Sequence, residues 1–82
     1  MDKQIEKEIA QYLMMMFGDL VEEIIRIQKR RLGLNGKDEL NYDDYILIAN
    51  EIKKVSTMLA GETAAVKVYE GLIHLIKEKY KQ

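Results

Sequence analysis

The sequence predicts an all-α fold: a small bundle of one long helix and two shorter ones, assembled as a homodimer. Three observations predict it. Apolar residues recur at helical spacing along three successive stretches. Proline is absent, and glycine occurs only at 18, 33, 36, 61 and 71, so those stretches have few places to break. The first stretch is apolar on two sides, and a helix in a small monomer needs only one buried face.

The first helix is expected to start near Asp2, with Glu6 and Glu8 close to its positive end. Ile5, Ile9, Leu13, Met16, Leu20, Ile24 and Ile27 make one apolar stripe. Met14, Phe17, Val21, Ile25 and Leu32 make a second, about 100° round. Both stripes run through Gly18, which favours one unbroken helix with that glycine inside it. Lys29, Arg30 and Arg31 suit the negative C-terminal end, and Gly33 suits the stop.

Gly33 to Asn41 is the clear connection, with Asn35-Gly36 as its turn signal. Its flanks alternate weakly, and a tiny hairpin is the less favoured alternative to a plain loop. Asn41 is the natural N-cap of the second helix. Its stripe is Tyr45, Ile48, Ala49, Ile52, Val55, Ser56 and Leu59, with Leu47 and Met58 to the side. Ala60-Gly61 ends or bends it, and Thr63 is placed to cap a third helix that runs to about Tyr80. Ala65, Leu72, Ile73 and Ile76 lie on the apolar arc of that helix, and Glu70, His74 and Lys77 on its polar arc. Gly71 and the nearby alanines are small enough for close helix contact.

The 82 residues make a single helical domain, 1–82. So short a chain buries a limited core and usually needs a disulfide, a metal or a partner. With no Cys and one His, oligomerisation or tight helix packing is the remedy left. A net charge of −1 gives no global pull toward nucleic acid or anionic membrane. The longest apolar run, Tyr12 to Phe17, is too short to span a bilayer, and the N-terminal residues lack a signal-peptide pattern. A cytoplasmic protein is expected. Lys37-Asp38-Glu39-Leu40 spells an ER retrieval signal but is internal.

No constellation carries chemistry. His74 stands four residues from Glu70, not three as the bundle di-iron motif requires, and a solvated surface histidine explains it. With no Cys and one polar-face His, no nucleophile–base pair can be assembled from the usual parts, and only a carboxylate-only enzyme is formally possible. Asp38, Glu39, Asp43 and Asp44 read as turn and capping acids. No metal or cofactor is expected.

The expected function is therefore contact without catalysis: an adaptor, regulator or accessory subunit that pairs with itself or with another helical protein. The residues expected at the interface are Met14, Phe17, Val21, Ile25 and Leu32. Methionine suits adaptable surfaces, although the Leu13 to Phe17 cluster also reads as core. The alternative is a nucleic-acid-binding regulator using Lys29, Arg30 and Arg31. Helix-dipole complementarity is the favoured account of that basic run.

Overall fold

A computed structural model describes residues 2–80. It shows the all-α bundle expected from the periodicity, with three helical arms and no strand among the described residues. The first arm is folded into two limbs. Helix α1 covers Asp2–Phe17, a 3₁₀ turn covers Gly18–Leu20, and α2 covers Val21–Arg31. Helices α3, Tyr42–Ala60, and α4, Glu62–Lys79, are the other arms. The capping role of Asp2 lies outside the described side chains.

The fold at Gly18 corrects the expectation of an unbroken first helix. Gly18 has φ 58, a left-handed conformation that the helix interior does not use. A straight helix over residues 2–31 would be about 45 Å long. The longest dimension of the whole molecule is 32 Å. Glu6 and Lys29, 23 residues apart, meet at 3.4 Å across the antiparallel limbs.

This fold also explains why two stripes are apolar. Ile5, Ile9, Leu13, Phe17, Val21 and Ile25 are all buried, and they follow one another at four-residue steps. Each such step drifts about 40° round a straight helix, so Ile5 and Ile25 would end on nearly opposite sides. The turn at Gly18 swings the second limb back, and all six reach one core. The core takes Ile5, Ile9 and Leu13 from the first stripe and Phe17, Val21 and Ile25 from the second.

Asn41 caps α3 as expected, and it does so within a reciprocal pair. Its side chain accepts from the Asp44 N–H at 2.8 Å, and Asp44 accepts from the Asn41 N–H at 3.0 Å. Lys37 donates to the same carboxylate at 2.5 Å. The connection before α3 is a loop, not a hairpin, and it drops Leu34 and Leu40 into the core. Gly61 alone joins α3 to α4, with φ 91 and ψ 166, a region open essentially to glycine. So tight a joint moves the start of α4 to Glu62, and Thr63 falls inside the first turn instead of capping it.

The four helices form a ring in which α1 touches α2 and α4, and α3 touches α2 and α4. Helices α3 and α4 are antiparallel: Tyr42 meets Tyr80 edge-on at 5.5 Å, and the Lys53 ammonium sits 5.0 Å from the Tyr69 ring centre. Helix α1 runs antiparallel to α4, with Glu8 paired to Lys79 and Tyr12 donating to the Lys67 carbonyl. Among the described residues, two polar groups sit inside without partners, the Gln28 amide oxygen and the Ser56 hydroxyl. The basic run that begins at Gln28 therefore starts with a core residue. The radius of gyration, 11.8 Å, matches the ~12 Å of a self-contained domain of this length.

Candidate interaction surface

The connectivity brings both turns to one end. Helices α1 and α3 each run antiparallel to α4, so they run parallel to each other. The Gly18 turn that ends α1 and the Gly61 joint that ends α3 therefore lie at the same end of the bundle. That end carries most of the exposed large apolar side chains. Met14, Met15 and Leu20 are exposed beside the first turn, and Met58 and Leu59 beside the second. Met15 at 82% and Met58 at 84% are as open as a helical side chain can be. Every residue from Thr57 to Thr63 is exposed, so the tip of the α3–α4 hairpin stands clear of the bundle.

Carboxylates stand in the first turns at this end. Asp19 lies in the turn, Glu22 and Glu23 in the first turn of α2, and Glu62 in the first turn of α4. The last turns of α1 and α3, which point the same way, contain no basic residue. Glu23 pairs with Arg26, while Asp19, Glu22 and Glu62 make no ion pair among the described residues.

Only part of the expected interface is on the surface. Phe17, Val21 and Ile25 are inside the chain's own core, so they present no face to a second molecule. Leu32 is half-buried against that core, and Met14 alone is exposed. The surplus of apolar surface that suggested a partner is largely consumed by the fold at Gly18. Met15, Leu20, Met58 and Leu59 were missing from the expected set. Leu20 and Leu59 read as core in their stripes, and only the turns beside them expose them.

The basic run is matched internally. Lys29 reaches Glu6 on α1, and Arg31 lies 4.0 Å from Glu51 on α3. Arg30 is exposed. Helix-dipole complementarity and these cross-helix pairs account for the run. A groove of about 440 Å³ lies between α1 and α2, lined by Glu6, Lys7, Glu22, Arg26 and Lys29. Lys29 is paired to Glu6 inside it. His74 is exposed on α4. Among the described residues, no group of His, Asp and Glu is placed to hold a metal ion, and no helix is long and apolar enough to cross a membrane.

Two carboxylates are held below their ordinary range. Asp44 is lowered by the Lys37 ammonium and then by the Asn41 N–H. Glu8 is lowered by its hydrogen bond from Lys79 and then by Gln4. Both belong to ion pairs that join elements, and neither lies at the apolar end.

No family model, curated protein or solved structure matches this chain. The functional reading therefore stands on the geometry above.

Proposed function

We propose that this chain is a small helical interaction protein, an adaptor, regulator or accessory subunit, that works by contact and has no catalytic site. The observation that carries the reading is the exposed apolar end: Met14, Met15, Leu20, Met58 and Leu59 beside the two turns. A chain that can bury Phe17, Val21 and Ile25 on its own still leaves these side chains in water. The reading takes each group, Met14, Met15 and Leu20 at the first turn and Met58 and Leu59 at the second, as part of a contact surface. Self-association is the simplest form of the reading, and a second helical protein is the other. With no cysteine in the sequence, a cytoplasmic setting belongs to the same proposal.

The test follows the methionine methyl signals of the purified chain by NMR, with light scattering alongside. The reading expects Met14, Met15 and Met58 to shift with protein concentration or on addition of helical peptides. The double variant Met15→Glu/Met58→Glu should lose that response and keep its melting temperature. Methyl signals indifferent to both treatments would end the reading.

A further inference from the structure

We propose that this chain has a second, exchanged form: a dimer in which the first arm straightens at Gly18 and the α1 helix of each copy packs on α2 and α4 of the other. The proposal rests on the self-association form of the reading above and names the element that changes hands. The partner is a second copy, because an identical chain offers every contact that α1 makes at home. Those contacts include Glu6 with Lys29, Glu8 with Lys79, and the Tyr12 hydroxyl with the Lys67 carbonyl. Exchange of an identical element is a low-cost route to a dimer for that reason.

The hinge is small and locally unsupported. Gly18, at φ 58, is the one left-handed residue between Asp2 and Arg31. The turn it opens, Gly18–Leu20, buries no residue, and neither the turn nor α2 has a side-chain cap at its start. A straight first arm would also present its apolar residues where two bundles need them. Ile5 and Ile25 would lie on nearly opposite sides of it. Ile5, Ile9 and Leu13 would then face the core of one copy, and Val21 and Ile25 the core of the other. The exposed apolar residues of this arm mark the same place. Among the described residues of the arm, Met14, Met15 and Leu20 are the large apolar side chains left open, and all three flank the turn. In the exchanged dimer the two straightened turns meet at the two-fold axis, so the one new contact forms at these residues.

Gly18 sets the balance between the forms. Its freedom at positive φ favours the closed chain, and its weak helix propensity opposes the straight one. Alanine there reverses both preferences. In dilute solution, where a chain closes only on itself, the same change simply destabilises.

The test uses the full chain, which has no cysteine of its own. Glu6→Cys and Lys29→Cys are made as separate proteins, each with and without Gly18→Ala. The two partners are mixed, unfolded, refolded together at high protein concentration, and treated with a short thiol–thiol crosslinker beside light scattering. Positions 6 and 29 meet far from the turn, so only exchange brings thiols on two different copies together. The proposal expects a crosslinked dimer of the two proteins, and dimerisation at least about tenfold tighter in the Gly18→Ala pair. Dimers that scatter light as dimers but do not crosslink overturn the exchange and leave self-association standing. Equal dimerisation with glycine and alanine at 18 overturns the role of the hinge and with it the proposal. If neither pair dimerises, or if the alanine pair does not fold and the glycine pair gives no crosslink, the proposal falls. The response of the methionine signals to helical peptides then decides the interaction reading separately.

Discussion

The ring of Tyr12 lies against the bare Cα of Gly71, where α1 crosses α4. A Cβ built at residue 71 would overlap the Tyr12 phenol. The hydroxyl donates to the Lys67 carbonyl one turn away, at 3.5 Å. Gly71 is therefore kept for space, inside a helix where alanine would otherwise be preferred by roughly 1 kcal/mol.

Gly71→Ala tests that contact. Helix propensity alone raises stability. Displacing the ring lowers it by roughly 1–3 kcal/mol, as overpacking does, and this is the larger effect. The expected outcome is a lower melting temperature. In a Tyr12→Ala background the same substitution should become neutral or stabilising. Equal effects in both backgrounds would show that the ring does not limit the site.

Gly18→Ala gives a test in which the sign decides. In an unbroken helix the change would stabilise by roughly 1 kcal/mol. At φ 58 it should destabilise by roughly that amount, because an L side chain meets its own backbone there. Gly18→Asn should be milder, since asparagine tolerates the left-handed region best among the residues with a Cβ. Thermal melts of the three proteins are sufficient.

Much of the fold is legible before any coordinates. Asn41 followed by two aspartates marks the start of α3, and Gly61 marks its end, because capping and left-handed backbone are local chemistry. The stripe of α3 is right from Tyr45 to Ser56 for the same reason: helical period and burial coincide where a helix is straight. The first arm is not legible in this way. Apolar residues at four-residue steps look continuous through Gly18, and nothing local distinguishes a glycine inside a helix from one that reverses it. Only the competition for a single core decides, and that is a property of the whole chain. The expected interface followed from the same step. A surplus of apolar surface implies something that covers it, and for Phe17, Val21 and Ile25 the cover is the chain itself. The exposed end depends on where two turns meet in space, which no local pattern records.

Asp44 sets a pH dependence with a definite sign. Its carboxyl is lowered by Lys37 and the Asn41 N–H, so the folded pKa lies below that of the unfolded chain. The stability from this group is fully present above the ordinary aspartate value, near 3.9, and is lost as pH falls through the folded value. The melting temperature should therefore decline below about pH 4. Asp44→Asn should start lower, through the weakened capping pair, and decline less over that range. Parallel curves for the two proteins would mean that Asp44 does not set the acid limb.

Glutamate substitutions separate core from surface along the first arm. Val21 is 1% exposed and Ile25 8%, whereas Met15 is 82% exposed. A carboxylate at 21 would enter an apolar interior, whereas one at 25 would stand at the groove that Lys7, Arg26 and Lys29 also line. The unpaired buried charge costs several kcal/mol, which is comparable to the whole stability of a domain this small. Val21→Glu should therefore unfold the chain at every protein concentration, because the lost contacts lie within one molecule, and Ile25→Glu should be the milder of the two. Met15→Glu should leave circular dichroism and melting temperature unchanged. The dependence on concentration is the deciding measurement. If Val21→Glu gave a folded, dissociated species, the side chain would have to face another copy, and the core drawn by the turn at Gly18 would be wrong. A melting temperature that is independent of dilution in the wild type, together with unfolding in the variant, places Val21 inside its own chain.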